Sequence, residues 1–359
     1  MKRREFLMSA AAVAAAAGSP TVWAQATKAS AKQSTLDRIA IMTLNFQRIL
    51  KNIPDTPDSP ERTLDLFDIG EMIADKYGVH KVEFQHYHLA STEPAYLKEL
   101  RGRLEKSKSR AAQINLEFSG LNMSAPRQRD RMLAIDLTKA FVDHAAMLGA
   151  QRVMINQGAQ GGTDPVMPNH QNKVYGIPTL KVMSDYGKSK GIIVSVETRG
   201  GGGGGRGARG AAPAGAPGAA GLAGATPGAA PAGAANAPAA SAAVPAPPPA
   251  APATPATPPM PSPEVWALLA EILTAAGARA NVDVGGAAAK NQEELHQCLK
   301  LLFPMTAGTM HTRVNAAWDL ATAIKFLEHD LGYRGLYTIE ASNGHEGTQP
   351  IYDVIVATL

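Results

Sequence analysis

Residues 192–197 read IIVSVE, a short run of mostly apolar, β-branched residues that ends on the carboxylate Glu197. Runs of this length and composition are typical of strands buried within a sheet. Three later runs have the same form and also end on a polar side chain: NVD ends on Asp283, GTMH on His311 and YTIE on Glu340. Four side chains that can bind a metal therefore stand at the carboxyl ends of four consecutive predicted strands.

Runs of this kind recur along the whole chain from residue 36 onward, and they alternate with amphipathic segments of helical periodicity. The predicted strands are residues 38–44, 81–85, 115–121, 152–156, 192–197, 279–284, 307–311 and 336–340. The last helical segment is expected to be only a short turn from Pro350. Eight strands that alternate with helices predict an α/β fold, a (β/α)8 TIM barrel.

One segment cannot belong to that barrel. Residues 200–263 hold 15 of the 26 prolines, 14 of the 34 glycines and no acidic residue. A segment of this composition cannot bury a core, so we predict a disordered insertion. It follows the fifth strand, on the face where the carboxyl ends of the strands lie. The barrel is then discontinuous and comprises residues 36–199 and 264–359.

The first 24 residues have the features of an export signal. Arg3 and Arg4 precede an alanine-rich apolar run at 8–17, and the small residue Ala24 closes a plausible cleavage site. This pattern resembles a twin-arginine signal, so we expect a periplasmic or otherwise exported protein. Without the signal and the insertion, about 270 residues remain, close to the roughly 250 of one TIM barrel.

Charge, hydropathy and cysteine content exclude several classes of function. Outside the signal and the insertion, the chain has 30 basic and 30 acidic residues, so nucleic acid is not an expected partner. No apolar run reaches the roughly 20 residues that span a bilayer, so we do not expect an integral membrane protein after signal cleavage. The lone cysteine, Cys298, excludes an intramolecular disulfide.

The carboxyl ends of barrel strands converge on one face, where catalytic side chains from different strands meet. Glu197, Asp283, His311 and Glu340 are therefore expected to form one cluster. Three carboxylates and one imidazole suit a single divalent ion held mainly by oxygen, which favours Mn²⁺, Mg²⁺ or Co²⁺, with Zn²⁺ as the remaining option.

These residues resemble the xylose isomerase-like TIM barrels described as sugar phosphate isomerases and epimerases, which include the ketose 3-epimerases. The resemblance covers about residues 36–359 without the insertion. It rests on SVE ending at Glu197, NVD ending at Asp283, MH ending at His311 and YTIE ending at Glu340. It implies that these four residues bind one divalent metal ion. It also implies that Glu197 and Glu340 are catalytic and act on a C–H bond of the substrate.

Three positions depart from the family pattern. Arg199 and Gly286 replace histidines that often follow the fifth and sixth strands, and Arg313 replaces a lysine that often follows the seventh. We interpret Arg199 and Arg313 as substrate-binding, because arginine can hold a carboxylate or sugar hydroxyls in a bidentate manner. His86, at the end of the second strand, is the third substrate-binding candidate. Glu83 has the opposite strand parity, so at most one of the two is expected to face the pocket.

The function favoured by these observations is a metal-dependent isomerase or epimerase that moves a proton through an enediolate of a sugar or keto-sugar. A keto-sugar lyase would use the same machinery. The complete metal-binding set argues against a non-catalytic periplasmic carbohydrate-binding barrel. An endonuclease IV-like enzyme is disfavoured, because Gly286 stands where a zinc-binding histidine belongs. We expect an unphosphorylated small-molecule substrate, and the sequence leaves open whether the chain is a homo-oligomer.

Overall fold

The computed structural model describes residues 34–118, 121–155, 173–198, 262–285 and 289–359. Eight parallel strands in these ranges form a closed barrel in chain order, which confirms the TIM barrel. The strands, β1 to β8, are Ile39–Met42, Lys81–Gln85, Arg110–Leu116, Arg152–Ile155, Ile193–Glu197, Arg279–Asp283, Thr306–Thr312 and Leu336–Ile339.

Each strand is followed by a helix or helical turn. The α-helices that surround the barrel, α1 to α8, are Ile69–Tyr77, Pro94–Lys106, Gln128–Leu148, Lys173–Ser189, Ser262–Ala276, Gln292–Leu302, Leu320–Lys325 and Gly344–Thr358. A π-helical turn, Phe326–Asp330, extends α7. Glycines with positive φ follow α1 and α3, at Gly78 (66°) and Gly149 (83°), where the left-handed backbone favours a residue without Cβ.

The barrel closes where β1 pairs with β8, with Ile39 opposite Tyr337. An ion pair on the outer side of this seam joins the strands to the π-turn. Arg38 donates two hydrogen bonds of 2.7 Å to the carboxylate of Glu328, and the Tyr337 hydroxyl donates a third of 2.7 Å. Burial alone would raise the pKa of Glu328, but these hydrogen bonds outweigh it and lower the pKa.

The two faces of each strand have different surroundings. Apolar side chains that face outward pack against the helices, as Val194, Val196 and Ile339 do, all nearly fully buried. Polar side chains fill much of the interior, and these buried residues include Glu83, Gln113, Asn115, Ser195, Asn281, Thr309 and Thr338. A polar interior needs internal hydrogen bonds, because each unpaired buried polar group destabilises the fold.

Two predicted elements were misplaced. The third strand is Arg110–Leu116 rather than 115–121, because the preceding helix ends at Lys106 and the polar residues Arg110 and Gln113 are accommodated in the strand. The chain ends on a full helix, Gly344–Thr358, rather than a short turn from Pro350. Pro350 is the seventh residue of this helix, where it removes one backbone hydrogen bond without ending the helix.

The predicted signal at 1–24 and the predicted insertion at 200–263 lie outside the described residues, apart from the two residues 262–263 at the start of α5, so the domain boundaries remain predictions. No helix in the described part of the chain is long and apolar enough to cross a membrane.

Candidate metal and acid–base site

Four side chains at the carboxyl ends of β5 to β8 form the candidate site. Glu197 and Asp283 are the last residues of β5 and β6, His311 is the penultimate residue of β7, and Glu340 directly follows β8. All four are at most 3% exposed. Strand pairing fixes their relative positions, with Asp283 directly opposite His311. The Asp283 N–H also donates to the Thr198 hydroxyl, at 2.9 Å, which ties the end of β6 to the residue after β5.

Three of the four approach each other closely. The Nδ1 atom of His311 lies 3.2 Å from Oε1 of Glu197 and 3.4 Å from Oε2 of Glu340. One ligand atom from each of these residues lies within 4.8 Å of the other two. Two oxygens and one nitrogen at this spacing could hold a metal ion, so the group is a candidate metal site.

Protonation of His311 follows from its surroundings. Burial would lower its pKa, but the negative charge of Glu83 and the hydrogen bonds with Glu197, Glu340 and Glu83 raise the pKa well above its usual value. When no metal ion is bound, the raised pKa favours the protonated imidazole, in which both nitrogens donate. A metal ion can bind Nδ1 only after that nitrogen loses its proton.

Asp283 belongs to the same cluster through Arg313. A terminal nitrogen of the Arg313 guanidinium contacts the carboxylate of Asp283, and the other lies 3.5 Å from Oε1 of Glu340. Gly285 makes this position accessible, because a Cβ atom there would overlap the stem and backbone of Arg313. Asp283 thus lies beside the close group of three and accepts a hydrogen bond from an arginine.

The electrostatics of Asp283 show how strongly the cluster resists another negative charge. Burial is the main cause that raises the pKa of this carboxyl to about 6. The charge of Arg313 opposes that rise, whereas the nearby carboxylates of Glu340 and Glu197 add to it. When all are ionised, the carboxylates of Glu83, Glu197, Asp283 and Glu340 outnumber the cations His311 and Arg313 by two.

Glu83 is the residue that sequence reasoning missed. It is fully buried in the middle of β2, and its Oε1 atom lies 2.6 Å from Nε2 of His311. The expectation that at most one of Glu83 and His86 faces the pocket assumed strand alternation, which does not extend to His86, because β2 ends at Gln85 and the chain then enters a 3-10 turn, His86–His88. An acid between the apolar residues Val82 and Phe84 was the available signal.

Of the three proposed substrate-binding residues, Arg313 belongs to this cluster. His86 lies at the rim, where its Nδ1 accepts a hydrogen bond of 3.0 Å from the Glu117 N–H and its ring centroid lies 3.8 Å from that of Phe118. Burial lowers its pKa to about 4, so it is neutral at physiological pH. Arg199 lies outside the described residues.

The fold, but not the sequence, matches known proteins. No protein-family model matches the chain, and no curated protein sequence matches it either. Among solved structures, D-psicose 3-epimerase from Clostridium cellulolyticum H10 has a TM-score of 0.55 at 9% identity, covering 88% of this chain and 89% of that one. The 3-keto-D-glucoside 4-epimerase of E. coli has a TM-score of 0.56 at 10% identity, with coverage of 90% and 100%. A xylose isomerase domain protein from Planctomyces limnophilus has a TM-score of 0.53 at 12% identity, with coverage of 89% and 94%.

Proposed function

We propose that this protein is a divalent-metal-dependent isomerase or epimerase of an unphosphorylated sugar or keto-sugar. The observation that carries the proposal is the pair of buried carboxylates, Glu197 and Glu340, on either side of the Nδ1 atom of His311. The structural likeness to two named epimerases and a xylose isomerase domain protein, at 9–12% identity, supports the fold, so the function is argued from the site.

The donor set fits a divalent cation. Glu197, His311 and Glu340 supply close ligand atoms, and Asp283 is the fourth proposed ligand. The cluster has an excess of negative charge that a divalent cation would offset. Carboxylate oxygens with one imidazole favour Mn²⁺, Mg²⁺ or Co²⁺, with Zn²⁺ less favoured. When bound, such an ion would polarise the carbonyl of a hydroxy-ketone and lower the cost of removing the neighbouring proton.

The chain's own side chains would move that proton. Glu197 and Glu340 come from β5 and β8, so they approach a substrate from different directions. One carboxylate can remove a proton from carbon while the other, in its protonated form, donates its own proton to the opposite face, and this inverts the stereocentre. When Asp283 binds the metal ion, it would release the guanidinium of Arg313. Arg313 would then bind substrate hydroxyls or a substrate carboxylate. His86 at the rim and Arg199 are the other proposed substrate contacts.

The export signal completes the proposal. A twin-arginine signal sends the protein to the periplasm as a folded chain, so the ion can be bound in the cytoplasm before export.

Solvent-deuterium exchange tests this function. The metal-loaded protein is incubated with a panel of keto-sugars and glycosides in D₂O, and the products are analysed by NMR and mass spectrometry. We expect deuterium on the carbon whose configuration or oxidation level changes. Glu197→Gln and Glu340→Gln should each lower turnover by roughly 10²–10⁴-fold.

Glu328→Gln is the matched control, because it removes a partly buried carboxylate on the outer side of the barrel. Its turnover per folded molecule should equal that of the wild type. Full activity in both site variants would remove the acid–base assignment. Sugar binding without turnover of any compound would favour the carbohydrate-binding barrel instead.

A further inference from the structure

A second carboxylate contact lies on the opposite edge of the His311 ring from the proposed metal site. Nδ1 of His311 faces Glu197 and Glu340, whereas Nε2 lies 2.6 Å from Oε1 of Glu83. Glu83 is fully buried and so is His311, at 0% and 1% exposure. A short contact between two water-excluded groups constrains which ring nitrogen carries the proton.

An ionised carboxylate can only accept hydrogen bonds, so Nε2 must carry the hydrogen that it donates to Glu83. A neutral imidazole has one protonated nitrogen. When Nε2 holds that proton, the lone pair of Nδ1 points toward Glu197 and Glu340. The contact with Glu83 thus selects the tautomer whose Nδ1 can bind a metal ion.

Glu83 is itself held in place by a chain of hydrogen bonds across β2 and β3. The side-chain amide of Gln113 donates to Oδ1 of Asn115 at 2.9 Å, and the amide of Asn115 donates to Oε1 of Glu83 at 2.7 Å. All three residues are fully buried. The acceptor that faces His311 therefore has a fixed position in the barrel interior.

Asn281 supports the same proton position. Its Nδ2 atom lies 2.8 Å from Nε2 of His311, while its Oδ1 atom has no hydrogen-bond partner within the described part of the chain. The two ends of an amide have nearly the same shape, so a half-turn of the amide places the oxygen at Nε2. A protonated Nε2 then has two acceptors, and the buried Asn281 oxygen gains a partner.

We propose that Glu83 is a positioning residue that holds the proton of His311 on Nε2 and orients the ring so that Nδ1 serves as the metal ligand. This inference rests on the proposed metal site. Glu83 acts through His311 and contacts neither the ion nor the substrate.

Metal affinity is the first test. Mn²⁺ binding is measured by isothermal titration calorimetry for the wild type, Glu83→Gln and Glu83→Leu. Loss of such an outer partner typically weakens metal binding by roughly 10–100-fold, and we expect Glu83→Leu to fall in this range. Glu83→Gln should lose less, since its amide oxygen still accepts from Nε2.

Thr309→Val is the matched control. Thr309 is buried in the barrel on the same strand as His311, and its hydroxyl contacts Thr338 at 3.0 Å. The variant removes a buried polar contact without touching the ring, so its Mn²⁺ affinity should stay close to that of the wild type even where its stability falls.

The second test reads the His311 ring directly in the metal-free protein, by ¹⁵N NMR at neutral pH. Both ring nitrogens should carry protons in the wild type, Nε2 should keep its proton in Glu83→Gln, and Glu83→Leu should lose the proton on Nε2 while Nδ1 keeps its own. If Glu83→Leu fails to fold, Glu83→Gln carries the test. The proposal would be overturned if Glu83→Gln and Glu83→Leu were less stable but bound Mn²⁺ with the affinity of the wild type. It would also be overturned if the protonation of the His311 ring were unchanged in Glu83→Leu.

The two proposals fail in different ways. A wild-type protein that binds no divalent ion would remove the metal site, and the NMR measurement would still decide whether Glu83 holds the Nε2 proton. If the wild type binds the ion and the Glu83 variants bind it equally well, only the positioning role of Glu83 would be removed.

Discussion

Replacement of Asp283 by asparagine should make the metal-free protein more stable at neutral pH, although it removes a proposed metal ligand. Asp283 is 1% exposed and lies near the carboxylates of Glu197 and Glu340. Burial and these charges oppose its ionisation more strongly than Arg313 favours it, so its pKa rises from 3.8 to about 6. Asparagine has nearly the same shape and no charge.

The magnitude follows from that shift. Each pKa unit corresponds to about 1.4 kcal/mol, so ionised Asp283 destabilises the metal-free fold by about 3 kcal/mol. Between pH of about 4 and about 6, the folded protein binds more protons at this site than the unfolded chain does. Ionisation of Asp283 therefore lowers the stability of the fold as the pH rises through this window. Above the window, the destabilisation has its full value.

Urea denaturation with a chelator present, at several pH values from 4 to 8, measures the effect. The stability gain of Asp283→Asn over the wild type should be small at pH 4 and grow to about 3 kcal/mol at pH 7 and above. Glu328→Gln is the control of opposite sign, because the pKa of Glu328 is lowered and its loss should destabilise the neutral protein. An Asp283→Asn protein less stable than the wild type at pH 7 would refute the reasoning, since it would mean that the contact with Arg313 outweighs burial.

Two further predictions concern parts of the chain away from the site. Deletion of residues 200–263, with a short Gly/Ser join, should leave the barrel folded and lower its stability by less than about 1 kcal/mol, because a segment of this composition buries little apolar area. A loss of several kcal/mol in urea denaturation would show that the segment packs on the barrel. Cys298 is fully buried and burial raises its pKa to about 12, so a thiol reagent should label it only after unfolding, and rapid labelling of the native protein would contradict its place in the core.

The barrel could be predicted because most of its strands are short local runs rich in apolar residues. Lys81–Gln85 was placed correctly to the residue, and the strands that carry the site were placed within a residue or so at each end. The third strand was missed by five residues at its start, since Arg110 and Gln113 do not look apolar and their places depend on the neighbouring strand. That information lies in strand pairing, not in the local sequence.

The sequence predicted which site residues stand at the ends of strands. It did not predict which side chains contact each other across the barrel. Glu197, His311 and Glu340 were expected at strand ends, and the barrel brings them together. The contacts of Glu83 with His311 and of Arg313 with Asp283 join residues that are far apart in sequence or on different strands. The 3-10 turn His86–His88 directly after β2 takes His86 out of the strand alternation, and the local sequence did not show that the strand ends there.

The most direct test of a divalent metal at this site is the stoichiometry of Mn²⁺ binding to the metal-free protein, measured by calorimetry and by metal analysis after dialysis. We expect one ion per chain in the wild type, a sharp loss of occupancy in Asp283→Ala and unchanged occupancy in Cys298→Ala. No bound ion in the wild type, or the same occupancy in Asp283→Ala, would contradict the proposed site.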